Sequence, residues 1–155
     1  MADLSPFARE LGKLLRKQLD YCLENILMVP LQDYINTSTN DPLPNVHALK
    51  KRLSNREEDL AKNKFVTDAL NETKTARNCV AHYNYQYIFD NFCSFLTAFI
   101  NLCLYMDNLD AATSIASVKG FTLKWLIEES FIENLQVQKL SEEDQALYWK
   151  LVQTF

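Results

Sequence analysis

Glycine occurs twice and proline four times in 155 residues, too few chain breakers for a turn-rich sheet fold, so long helices are expected. Two glycines cannot build a phosphate-cradling loop, and no G-x-S-x-G or H-E-x-x-H string occurs. The four cysteines, Cys22, Cys79, Cys93 and Cys103, form no C-x-x-C pair. Lying in apolar-patterned segments, they read as reduced core thiols, which points to an intracellular protein and away from a zinc site. The opening "MADLSPFARELGK" lacks a basic stretch followed by an apolar run, so no secretory signal is expected. The most apolar segment, residues 88–106, is interrupted by Asp90, Asn91, Ser94, Thr97 and Asn101 and makes a poor membrane span. Neither a metal nor a cofactor is expected.

What is present is enough for one domain. A chain of this length buries about two thirds of the surface its unfolded form exposes, so it needs no disulfide staples. The formal net charge is −4, which argues against binding nucleic acid through overall charge. The charge is uneven, however. Residues 1–106 hold 12 Lys/Arg and 12 Asp/Glu, whereas residues 107–155 hold 4 and 8. Lys50, Lys51 and Arg52 begin a basic run, 50–64, readable as a solvated helix face or as a strip that tracks phosphates.

Periodicity divides the chain into helices. Ser5 and Pro6 mark a start, and Phe7, Leu11, Leu14, Leu15, Leu19, Cys22, Leu23 and Ile26 recur three or four apart up to a stop expected at Pro30. Residues 31–35 add a short helical turn, and 36–45 form a polar, proline-bearing loop. A short helix over "VHALKKRL" precedes a capping box, Ser54 with Glu57. The helix it opens carries Leu60, Phe65, Ala69 and Leu70 and weakens near Asn71. From Tyr85 to Asp107, Phe92, Phe95, Leu96, Phe99, Cys103 and Met106 form one stripe opposite Asp90, Ser94, Thr97 and Asn101, as expected of a central helix. A shorter helix then ends at Gly120, followed by helices over 122–136 and 142–153, the last opened by Ser141. The expected fold is an all-α bundle of about four core helices, 1–108, with an appended C-terminal helical hairpin, 109–155, packed on it as one compact domain.

One stretch carries chemistry: "KTARNCVAHY", residues 74–83, which holds one of only two histidines. In a helix, Asn78 and His82 lie four apart on one face, so the amide can orient the imidazole. Arg77 and His82 diverge by roughly 140°. A helix beginning inside the motif, the reach of arginine or a symmetric second copy would each reconcile the pair. Imidazole moves protons near neutral pH and guanidinium grips a phosphate, which together suit cleavage of RNA by its own 2′-hydroxyl.

"RNCVAH", residues 77–82, resembles the R-x4-6-H motif of the HEPN superfamily, in which Asn, Asp or His typically follows the arginine. The likeness covers residues 5 to about 108 and includes an all-α chain whose motif leads into a long apolar helix. It implies a metal-independent endoribonuclease, active as a homodimer with paired motifs in one cleft, that leaves a 2′,3′-cyclic phosphate. Arg77 would then contact the phosphate, Asn78 orient the site, and His82 transfer the proton or donate to the transition state. Where some members continue H-x-Y, this chain has Asn84, so their tyrosine-dependent control is not implied. Other HEPN domains are non-catalytic modules for dimerisation, protein contact or nucleotide binding, and that alternative stays open.

Around the motif, Lys74, Tyr83 and Tyr85, with the 50–52 cluster, are candidate contacts to single-stranded RNA, although aromatics entering an apolar helix also serve as packing. The simpler account of Arg77 and His82 is a capped helix start, with the arginine paired to an acid such as Glu72. His47 reads as a surface or capping residue, and Trp125 and Trp149 as anchors of the hairpin or contacts to a regulatory protein partner. Glu128, Glu129, Glu142, Glu143 and Asp144 read as a solvated acidic face.

Overall fold

The structure, a computed structural model, describes residues 5–35, 49, 60–124 and 141–154. Expectations for the loop 36–45, His47, Lys50, Lys51, Arg52, the Ser54 capping box, Trp125, Glu128, Glu129 and the rest of the 122–136 helix lie outside those residues. The described residues are an all-α bundle without strands. In chain order the helices are α1 (Pro6–Tyr21), a π-helical segment (Cys22–Leu27), α2 (Met28–Ile35), α3 (Leu60–Ala81), α4 (Tyr85–Tyr105), α5 (Leu109–Lys124) and α6 (Glu142–Thr154).

Helix α1 starts where its cap dictates: the Ala8 N–H donates to Ser5 Oγ at 3.1 Å, and Pro6 occupies the first turn, where no N–H is needed. Its expected stop at Pro30 is overturned. The chain stays helical to Ile35, with the π segment just ahead of the proline. There the Met28 N–H reaches back five residues to the Leu23 carbonyl. Widening the coil at this point accommodates a residue that has no N–H and whose ring would crowd the carbonyl four residues earlier. Pro30 and Leu31 are thereby buried as a continuation of the apolar face.

Helix α4 is the centre of the bundle, packing against α1, the π segment, α3, α5 and α6. Its stripe is as the spacing predicts. Phe92, Phe95, Leu96, Phe99 and Cys103 are buried, whereas Asp90, Ser94 and Thr97 are exposed. By length and composition α4 could cross a membrane, and its apolar stripe lies in the protein's core. Leu49, from the expected "VHALKKRL" helix, is helical and fully buried in the same core. Helix α3 differs from expectation in two ways. It runs unbroken through Asn71 for 22 residues, and it buries Val66 while leaving Phe65 53% exposed. Its inward face is Val66, Ala69, Leu70, Thr73, Ala76, Cys79 and Val80, a helical repeat that Phe65 does not share.

The boundary expected at residue 108 does not separate two cores, because Ala111, Ala112 and Ile115 of α5 and Tyr148 of α6 belong to the same cluster as α4. Nor does α5 end at Gly120. It continues to Lys124 without a positive φ at the glycine, held by burial of Thr122, whose hydroxyl donates to the Val118 carbonyl at 2.9 Å. The start expected at 142 is borne out: the Asp144 N–H donates to Ser141 Oγ at 3.2 Å. Asp144 in turn accepts from Ser5 Oγ at 2.6 Å, which joins the starts of α1 and α6. Tyr148, rather than Trp149, anchors α6: it is 1% exposed and lies 6.3 Å from the Phe7 ring, while Trp149 is 50% exposed.

The thiols behave as hydrophobes. Burial pushes Cys22 up to about 12, with Cys103 nearby adding to the shift, and pushes Cys103 up to about 11. None of the four cysteines is in a disulfide.

Two predictions follow from this packing. A Cβ on Gly12 would lie 2.7 Å from Cγ of Tyr85, whereas one on Gly120 would meet nothing within 4 Å. Gly12→Ala therefore lowers stability by about 1–3 kcal/mol through overpacking, and Gly120→Ala raises it by about 0.5–1 kcal/mol, both read from urea unfolding. The second concerns Lys150, which bridges α6 to Asp90 of α4 at 2.7 Å. Burial opposes ionisation of Asp90, but hydrogen bonds from Lys150 and Gln86, with the charge of Lys150, hold its carboxyl below the usual range. A folded value below the unfolded one means the contribution is complete above about pH 4 and lost as pH falls through the folded value. Amide-exchange protection of α6 should thus drop in acid toward that of Lys150→Gln, and equal protection of the two proteins at neutral pH would refute it.

Candidate functional site

The motif occupies the end of α3 and the turn into α4. Arg77 and Asn78 are half-buried on the last turns of α3, and His82 is exposed just beyond it. The expected capped helix start is corrected to a helix end, and no helix begins inside the motif: α3 closes at Ala81 and α4 starts at Tyr85.

The turn is built from backbone bonds. The His82 N–H donates to the Asn78 carbonyl at 3.0 Å, Tyr83 N–H to Val80 at 3.5 Å, and Asn84 N–H to Cys79 at 3.0 Å. This six-to-one and five-to-two pairing closes a helix in a Schellman motif and requires a left-handed residue after the C-cap. That residue is Tyr83, at φ 54°, where a side chain with a Cβ costs about 1 kcal/mol. Asn84 immediately caps α4, its Oδ1 accepting from the Tyr87 N–H at 3.3 Å. The same device joins α4 to α5. Asp107 sits at φ 57°, the Asn108 N–H reaches the Cys103 carbonyl at 2.8 Å, and Asn108 Oδ1 accepts from the Ala111 N–H at 3.0 Å. Both asparagines end one helix with the main chain and start the next with the side chain.

A residue overlooked in the sequence holds the first turn. Arg16 of α1 donates from Nε to the Val80 carbonyl at 2.9 Å and places its guanidinium 4.0 Å from the centre of the Tyr83 ring. Both contacts favour a cation at this spot: the carbonyl belongs to a helix C-terminus, and the ring face is electron-rich. Only the close approach of α1 at Gly12, against the half-buried Tyr85, makes this reach possible. The tyrosines thus divide their roles. Tyr85 packs, while Tyr83 is 59% exposed and contacts Tyr85 edge-on at 6.5 Å between ring centres.

Within the motif, Asn78 does not orient the imidazole by its amide. Its Oδ1 accepts from Arg77 Nη1 at 3.4 Å, and its link to His82 is the main-chain bond. Glu72, the acid considered for Arg77, accepts from Ser94 Oγ at 3.4 Å. The His82 side chain makes no hydrogen bond among the described residues, so it is open to solvent and to a ligand. Lys74 is exposed one turn earlier on α3. Among the described residues, no three His, Cys, Asp or Glu side chains gather as a metal site.

Compared with known proteins, the chain matches no family model, no curated sequence and no solved structure.

The double use of asparagine is testable. Asn84→Ala and Asn108→Ala should each lower stability by about 1 kcal/mol, the usual loss for an N-cap, with equal denaturant midpoints for mutant and parent as the contrary result.

Proposed function

We propose that the protein is a metal-independent endoribonuclease of the HEPN type, intracellular and active as a homodimer on single-stranded RNA. The observation that carries this reading is the exposure of His82 at the head of the turn, with Arg77 and Asn78 half-buried one turn behind it. A proton-transfer residue must meet solvent and substrate, and a sealed imidazole could do neither. In the proposed reaction the substrate's 2′-hydroxyl attacks the adjacent phosphorus as His82 moves the proton. Arg77 offsets charge on the phosphorane, and the 5′-oxygen departs with the proton that His82 took from the 2′-hydroxyl, leaving a 2′,3′-cyclic phosphate and a free 5′-hydroxyl. Because Arg77 and His82 leave a helix in directions about 140° apart, a second copy of the chain completes the cleft.

A groove between α3 and α4 favours a second reading, a non-catalytic helical module that docks another protein. Exposed Phe65 lies at this groove, with Asp68, Glu72, Ser94 and Thr97 beside it. Such an apolar surface framed by polar groups suits a protein partner, including a regulator of the nuclease.

Labelled single-stranded RNA incubated in excess EDTA distinguishes the two. The nuclease reading expects cleavage to 2′,3′-cyclic phosphate ends and at least a roughly hundredfold loss in His82→Ala, the usual share of a general acid or base. Cleavage undiminished in that variant, or no cleavage by a protein that light scattering shows to be dimeric, rejects it.

A further inference from the structure

Arg16 is fixed in an unusual way for a half-buried cation. Its Nε is bound to the Val80 carbonyl and its Cζ lies 4.0 Å over the centre of the Tyr83 ring, while its two terminal nitrogens make no hydrogen bond among the described residues. A guanidinium held by Nε and over an aromatic ring keeps its terminal nitrogens free, which leaves donors to grip an oxyanion. No acid pairs with it among the described residues.

It does not stand alone. Arg9, Lys13 and Lys17 are exposed on α1, within about 100° of one another and of Arg16 around the helix. The acids on this face are Glu10, which meets Lys13 at 3.5 Å, and half-buried Asp20 at its far end. In a chain of net charge −4 this is a local basic strip that ends at the turn carrying His82. Tyr83 adds a second chemistry, because the residue is 59% exposed beside the bound guanidinium. A cation for phosphate and an aromatic surface for a base, on adjoining residues, match what a single strand of nucleic acid presents. An acidic peptide would use only the charge.

The geometry points to a single-stranded RNA track along α1, in which Arg16 grips a phosphate flanking the scissile one and Tyr83 both holds Arg16 and stacks on a base, positioning the strand at His82. This deepens the ribonuclease reading and rests on it for the identity of the scissile phosphate. The left-handed φ of Tyr83 fits this track: glycine would fold more easily there, and the ring supplies contacts to Arg16 and to the strand that glycine cannot.

The test uses the full chain and a short labelled 2′-O-methyl oligoribonucleotide, which binds but cannot be cut for want of a 2′-hydroxyl, titrated by fluorescence anisotropy over a range of salt. Arg16→Gln should weaken binding on the order of tenfold, the loss of a charge-assisted hydrogen bond, and reduce the log-log salt slope by about 0.7. Lys17→Gln, exposed and outside the packing, should lower the slope similarly. Tyr83→Gly should leave thermal stability nearly unchanged, relief of the left-handed conformation offsetting the lost ring contacts, while weakening binding, a divergence that a merely structural tyrosine would not produce. Unchanged affinity and slope in Arg16→Gln and Tyr83→Gly overturn the track. If they are unchanged while the parent still cleaves unmodified RNA, the track falls and the nuclease stands. If Arg16→Gln loses binding but the parent leaves unmodified RNA whole, the track stands and the nuclease falls.

Discussion

The site depends on how closely α1 approaches the turn between α3 and α4. At Gly12 the two backbones come near enough for Tyr85 to lie where a Cβ would otherwise be. One turn further along α1, that proximity lets Arg16 reach the Val80 carbonyl and the Tyr83 ring. A left-handed tyrosine is unfavourable in isolation. Here the carbonyl bond, the guanidinium over the ring and the asparagine cap behind it hold the conformation together, so the exposed end of the motif is attached to the helical scaffold.

In the proposed nuclease, the anchoring of this turn would have a chemical use. His82 projects from the end of a 22-residue helix whose inner face is buried for most of its length, and the residues on either side of it are bound by main-chain hydrogen bonds. A proton-transfer group held in this way keeps its position while remaining wet. The basic strip of α1 approaches from one side, and the exposed acids at the start of α6, Glu142 and Glu143, lie on the helix joined to α1 through Ser5 and Asp144. The proposed strand would therefore be drawn along α1 and discouraged at its N-terminal end, where those carboxylates gather.

Much of the fold was legible because burial imposes a period. The stripes of α1 and α4 and the Ser5 and Ser141 starts were readable from spacing and capping chemistry alone. Two expected helix ends fail for one reason. Pro30 and Gly120 are breakers by local propensity, yet burial of Leu31 and Thr122 keeps the helix going past each, with a π segment absorbing the proline. Phe65 stands among the apolar residues of its helix, but its neighbour Val66 has the angle that faces inward. At the motif, the residue types were visible but the helix end was not. Tyr83 has the left-handed position that glycine would have announced.

Sequence alone determined the helical class, the central helix and the presence of arginine, asparagine and histidine within six residues, because periodicity and composition act along the chain. Tertiary structure alone decided that Arg16, 64 residues from Val80, is the cation seated at the turn and that Tyr83 is its platform. Which side chain reaches a carbonyl on another helix depends on the distance and rotation between the helices. Those are set by how their buried faces pack, and no local pattern of residues encodes them.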